Sequence, residues 1–395
     1  MATLDSLVRD ARALADGGVV PVDAQRGEAA VAEVARVMQI CNACRYCEGF
    51  CAVFPAMTRR LAFPQADAHY LANLCHHCGA CLHACQYAPP HEFAVNVPQA
   101  MAAVRASTYQ DYAWPPALGA LYRRNGLTVA LALVAALTAF LVLALVVNGT
   151  WWGRPGGSFY DVFPHGLLVA IFLPVFGASA LAMVMGLRGF WRAVTPVTGA
   201  IAPDTPALAE AAHAAATLKY LDGGHGEGCH EEDDAWTHAR RRAHHLTAYG
   251  FGLCFLATAT GTLYHYAFGW VAPYALPSLP KLLGATGGVM MVLGTAGLWR
   301  LNTARHPQHA APSLRPMDRA FTALLFLVAA SGLALWGAGG HASLPLWLAF
   351  HLATVMALFL TLPYGKFAHA LIRGAALVRH AVEKRLPHPI GLGSD

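Results

Sequence analysis

Cys41-Asn-Ala-Cys44-Arg-Tyr-Cys47-Glu-Gly-Phe-Cys51 and, after residues 52–74, Cys75-His-His-Cys78-Gly-Ala-Cys81-Leu-His-Ala-Cys85 repeat one spacing, C-x2-C-x2-C-x3-C. This spacing wraps three thiolates around one face of an iron–sulfur cube and sends the fourth to a second cube. The expected ligand sets are therefore crossed. Cys41, Cys44, Cys47 and Cys85 hold one [4Fe–4S] cluster, and Cys75, Cys78, Cys81 and Cys51 hold the other. Eight of the ten cysteines lie in this stretch. Zinc sites are usually built from separated C-x2-C pairs, so two complete four-cysteine runs favour iron–sulfur. No C-x-x-C-H occurs, and covalent c-type haem is not indicated.

Around this stretch the chain is unusually apolar. Of 395 residues, 56% are hydrophobic and 12% charged, a balance that excludes an ordinary soluble enzyme and fits a polytopic membrane protein with a soluble head. The net charge of +5 calls for no nucleic acid, because the basic residues flank apolar segments. Residues 1–40 carry charges and no apolar h-region, so the N-terminus is expected in the cytoplasm. In that reducing compartment clustered cysteines bind metal more readily than they form disulfides.

Residues 4–16 and 28–40 read as short amphipathic helices. In the second, Val31, Val34, Ala35 and Met38 share one face and are expected beside the clusters. Gln65–Leu74 reads as a helix between the cysteine runs, with no alternating strand pattern. Residues 99–125 read as an interfacial linker broken by prolines. Its Tyr109, Tyr112, Trp114 and Tyr122 resemble an aromatic belt at a membrane entry.

Six apolar segments follow, at 126–147, 165–187, 245–268, 282–299, 320–337 and 346–365. The first has no charge over about 33 Å of helix, enough to span. Segments 188–245, 300–319 and 366–395 hold fifteen Lys or Arg, whereas the opposite side holds only Arg154 and Lys281. That asymmetry places both termini inside. The expected fold is all-α: N-terminal helices to residue 40, an α-helical two-cluster ferredoxin domain over 41–98, and a linker over 99–125. A six-helix transmembrane cytochrome-b-type bundle then occupies 126–371, with a cytoplasmic loop at 188–243, and a cytoplasmic tail follows at 372–395. Within the loop, the Gly-rich turn with His225, Cys229 and His230 reads as a flexible segment packing on the cluster domain, with metal binding as the lesser alternative. Gly284 and Gly288 read as close helix packing, and Cys254 as a small apolar residue.

Ionisable residues within spanning helices are costly and usually functional. His351 and His369 are five helical turns apart, so they share a face about 27 Å apart along the sixth helix. On the third helix, His265 lies near the outer end, and His244 or His245 near the inner end. His244, about 60° from His265 in azimuth, is preferred over His245, at about 160°. Antiparallel third and sixth helices place His265 opposite His351 and His244 opposite His369. That geometry suits two bis-histidine b-type haems, with Arg241 and Arg242 beside the inner propionates. His165, at the outer end of the second helix, is a candidate for a quinone pocket.

Several stretches resemble one family, tricarballylate- or citrate-utilisation protein B. They are the two cysteine runs, Cys85-Gln-Tyr-Ala-Pro-Pro-His-Glu-Phe-Ala-Val-Asn-Val-Pro98, the Leu-Asp-Gly-Gly loop before Cys229, Arg-Arg-x-x-His-His at 241–245 and Leu-Tyr-His265-Tyr. The resemblance runs from about residue 30 to 375. It implies two [4Fe–4S] clusters and haem in a membrane protein that reoxidises the FADH2 of a cytoplasmic FAD-dependent dehydrogenase and passes electrons to the quinone pool. The paired histidines of the last helix also resemble those of the respiratory nitrate reductase b-type subunit. No proline follows Cys51 or Cys85, unlike bacterial ferredoxins, so potentials do not carry over from them. No acid–base or nucleophilic constellation stands out, and the chain reads as an electron-transfer component. Two rivals are a quinol-oxidising subunit feeding a cytoplasmic reductase, as in heterodisulfide-reductase-like complexes, and a zinc-binding membrane scaffold without redox function.

Overall fold

The computed structural model describes residues 22–153, 157–195, 202–224, 226–233, 235–309, 311 and 314–390. The expected helix at 4–16, Arg154 and His225 lie outside the described residues.

Among the described residues the N-terminal part of the head comprises α1 (Val22–Cys44), α2 (Val53–Thr58), α3 (Gln65–Leu74), α4 (Ala80–His83) and α5 (Val97–Asp111). The apolar face of α1 does what its spacing predicts. Val34 and Met38 are fully buried, and Val31 and Ala35 pack at the margin of the same core. Helix α3 begins and ends where the sequence places it.

Helix α5 corrects the reading of residues 99–125 as a linker. Pro98 starts this helix instead of stopping one, because proline's missing N–H costs nothing in the first turn. Asn96 caps it, accepting from Gln99 N at 3.0 Å. Met101 and Val104 are fully buried between α1 and α3. Tyr109 and Tyr122 also lie in the core, with rings 5.9 Å apart, so these aromatics are not a membrane belt. Met101, Val104 and Thr108 recur at helical spacing on the buried face of α5.

Six helices are long and apolar enough to cross a membrane among the described residues. They are α6 (Asn125–Asn148), α7 (His165–Val194), α9 (Ala239–Phe268), α10 (Leu279–Ala304), α11 (Arg315–Gly337) and α12 (Leu344–Thr361). They coincide with the six apolar segments of the sequence. Helix α12 is central, packed against α6, α11 and α7. Helices α9 and α10 lie closest together. A Cβ at Gly250 would sit 2.8 Å from Gly287 O, and one at Gly294 would sit 2.5 Å from Thr247 N. Gly288 lets Leu333 approach, at 3.0 Å from where its Cβ would be, and Gly284 makes only ordinary contact with Ala257.

The loop between α7 and α9 carries α8 (Thr205–Thr217) and a two-residue ladder, β1 (Cys229–His230) with β2 (Trp236–Thr237). It packs on the head, as expected. Gly224, at φ +90°, fits where a Cβ would come 2.4 Å from Phe50 Cα. His230 N donates to Cys78 O at 3.0 Å. Residues 372–383, expected in the C-terminal tail, are part of a helix that packs on the head. Helix α13 (Ala368–Glu383) buries Ile372, Ala376 and Leu377 in the head's core. Its Glu383 and Arg379 join Arg60 and Asp67 in a four-member ion network.

Candidate functional site

The eight clustered cysteines line two adjoining cavities in the head. One, of about 280 Å³, is lined by Cys41, Cys44, Cys47 and Cys85, with Ile40, Tyr46 and Tyr87. The other is lined by Cys51, Cys75, Cys78 and Cys81, with His76 and His77. Cys81, Phe54 and Val97 border both, so little more than one side chain separates them. The first cavity thus gathers Cys41, Cys44, Cys47 and Cys85, the second Cys51, Cys75 and Cys78, and Cys81 lies between the two.

Local backbone explains how each run curls. Arg45 and Gly79 occupy equivalent places, one residue after the second cysteine of each run. Both adopt the left-handed conformation, at φ 55° and 82°. Gly79 is needed there, since a Cβ would lie 3.1 Å from His309 Cε1 and 3.3 Å from His230 O. The electrostatics follow from convergence. Burial pushes Cys41 up to about 12, and the thiolates of Cys47, Cys85 and Cys44 add to it. Burial also raises Cys51 well above its ordinary value, followed by Cys78 and Cys75. Four thiols so placed ionise together only around a multivalent cationic core. Among the described residues no three His, Cys, Asp or Glu side chains close on a single-ion site.

On the membrane side, His244 of α9 meets His369 of α13, ring centroids 6.2 Å apart at 90°. His369 is not on the sixth spanning helix. The chain breaks over Leu362–Gly365, where Pro363 sits in a 3-10 turn and Gly365 is extended, and α13 starts afresh. The pairing with His244 is formed nonetheless. His245 turns away toward Tyr249, at 5.5 Å, in keeping with its azimuth.

At the end of the bundle away from the head, α9 and α12 face one another across a cavity of about 550 Å³ lined by His165, His265 and His351. His265 stacks on His165, centroids 3.9 Å apart and 18° from parallel. His351 Nδ1 lies 3.0 Å from Ser331 Oγ, and Gly332 leaves room for its ring. His165 is thus a direct neighbour of His265. Its place at the start of α7, level with the end of antiparallel α9, was the available signal.

The arginine expectation needs correcting. Arg241 is engaged with the Thr217 carbonyl, at 2.8 Å, and with Asp222, while Arg242 is exposed. Arg240 forms a bidentate pair with Glu231. A cation beside this histidine pair is instead Arg373, one turn beyond His369 and bonded to Cys75 O at 3.0 Å. Its i+4 spacing from His369 was the legible signal. Cys229 is buried, its Sγ 3.7 Å from Leu221 O, and Cys254 lines the outer cavity.

A thiol-lined helical head fused to six membrane-length helices defines a multi-pass membrane protein with an iron–sulfur electron-transfer role. Two family models match the chain: citrate utilization protein B over residues 120–390, and the citrate utilization protein B Fer4-like domain over residues 34–111. Citrate utilization protein B of Escherichia coli is 55% identical over 365 residues, covering 92% of this chain and 95% of that protein. The chain belongs to the citrate utilization protein B family. No solved structure matches it.

Proposed function

We propose that this protein accepts electrons from a reduced FAD-dependent dehydrogenase on the cytoplasmic side and passes them to the quinone pool. Cys41, Cys44, Cys47 and Cys85 would hold one [4Fe–4S] cluster, and Cys75, Cys78, Cys81 and Cys51 the other. His244 with His369, and His265 with His351, would hold two b-type haems. When bound, these groups supply one-electron carriers, and the chain fixes their spacing and surroundings.

The observation that carries the reading is the unbroken succession of donor sets. The first thiol cavity adjoins the second through Cys81. The second joins the inner histidines through Arg373, which bonds Cys75 O and lies on the same helix as His369. The imidazoles fit axial ligation. His369 Nδ1 is bonded to Lys366 O and His351 Nδ1 to Ser331 Oγ, which leaves Nε2 of each for iron. Among the described residues His244 Nδ1 and His265 Nδ1 are buried without a hydrogen-bond partner. The inner placement of both termini, the cytoplasmic membrane as location and the open first cavity as the electron entry belong to the same reading.

Purified protein in liposomes with a reduced flavoprotein dehydrogenase and a soluble quinone tests it. Haem absorbance should be reduced by the flavoprotein and reoxidised on quinone addition. Haem that the flavoprotein leaves oxidised, but quinol reduces, would reverse the direction.

A further inference from the structure

Three guanidinium groups from three separate elements hold the backbone of the turn that carries Cys75 and Cys78. Arg105 of α5 donates to Ala72 O at 3.0 Å and to Cys75 O at 2.5 Å. Arg373 of α13 donates to the same Cys75 O at 3.0 Å and to Asn73 O at 3.4 Å. Arg305, just past the inner end of α10, donates to His77 O. Burial lowers Arg373 to about 10, with Arg105 beside it adding to the effect, and burial likewise lowers Arg305 to about 10.

The ion pairs of this region go elsewhere. Arg60 and Arg379 pair with Asp67 and Glu383, Arg240 with Glu231, and Lys366 with Asp318. Among the described residues no carboxylate forms an ion pair with Arg105, Arg305 or Arg373. The first cavity is different. It has one comparable contact, Arg45 Nε to Asn42 O at 3.2 Å, and it opens to solvent beside the exposed Tyr46.

Cations held against the backbone carbonyls of the ligand-bearing turn, with no carboxylate in direct ion pair, favour added negative charge at the site they surround. Reduction of an iron–sulfur cluster adds one negative charge, and its potential follows net charge and hydrogen bonding nearby. We propose that Arg105, Arg305 and Arg373 are positioning residues that set the potential of the second cluster above that of the first, so that an electron entering the head settles beside His244 and His369. This rests on the reading of the two thiol cavities as cluster sites. Arg305 lies at the end of a spanning helix and Arg373 on the helix that follows the last span, so the membrane bundle is coupled directly to the cluster next to it.

The test is an EPR-monitored redox titration of the full-length protein, comparing Arg373→Gln and Arg373→Lys, with Arg305→Gln as a second site should Arg373→Gln fail to accumulate. Cys85→Ser and Cys51→Ser assign the two signals to the first and second clusters. In the unaltered protein the second cluster should reduce at higher potential than the first. Arg373→Gln should shift the reduced-to-oxidised ratio of the second cluster roughly tenfold toward oxidised, about 59 mV for a one-electron couple. Arg373→Lys should shift it less, and the first cluster should not move. Equal movement of both clusters, no movement of either, or a shift confined to a haem would overturn the inference. Absence of any iron–sulfur signal from the unaltered protein would overturn the cluster reading along with it.

Discussion

His165 Pro-capped at the start of α7 and His265 near the end of α9 stack their imidazoles face to face, 3.9 Å apart. Both border the outer cavity, with His351 on its α12 wall. Two imidazoles in van der Waals contact do not sandwich a porphyrin, so the haem pair we propose is His265 with His351. His351→Ala and His265→Ala are each expected to lose one haem. His165→Ala should retain both haems by pyridine haemochrome assay, and loss of the outer haem in that variant would reassign the ligand.

The crossed cysteine sets predict paired losses. Cys85→Ser should remove the cluster held with Cys41, Cys44 and Cys47, leaving roughly half the iron and acid-labile sulfide. Cys51→Ser should remove the other. Each variant should keep one distinct EPR signal, and loss of the same signal in both would contradict the crossing.

Gly224→Ala tests how the inner loop docks. The added Cβ would lie 2.4 Å from Phe50 Cα and 2.6 Å from Phe50 O, at a φ of +90°. The strain and clash are expected to cost about 1–3 kcal/mol. Limited proteolysis should then cut within residues 218–237 faster than in the unaltered protein, and an unchanged cleavage rate would show that the loop is not clamped there.

Acid should loosen the contact between α13 and the head. Burial works to raise Glu383, but Arg60 and Arg379 outweigh it and hold its carboxyl below the ordinary value of 4.5. A depressed carboxylate stabilises the fold above its unfolded pKa, and that contribution is lost as pH falls through the lower folded value. Stability in detergent should therefore decline below about pH 4.5. Glu383→Gln should flatten this decline and cost on the order of 3 kcal/mol at neutral pH, because it breaks a buried ion network. A thermal-unfolding series across pH checks both.

Much of this was legible in residue order. Cysteine spacing signals the gathering of the eight thiols in the head because each run is a local pattern of short chain separations. The six spans are visible because hydrocarbon demands long uncharged runs. Helix α5 was hidden by Pro98, Pro115 and Pro116, although Pro98 sits at a helix start and Asn96 caps it. The core role of α13 depends on contacts with α3 and α8, more than 150 residues away in sequence, which no local pattern reports. The break before His369 was signalled by Pro363 and Gly365, yet the chain still delivers that histidine to His244. Arg241 and Arg242 looked available because sequence shows charge but not partners.

The most direct measurement is haem and iron content with visible and EPR spectra on the unaltered protein, His351→Ala and His369→Ala. The account predicts two iron–sulfur signals in all three proteins, two haems in the unaltered protein, and loss of a different haem in each variant. Full haem content in both variants, or a colourless protein carrying stoichiometric zinc, would contradict it.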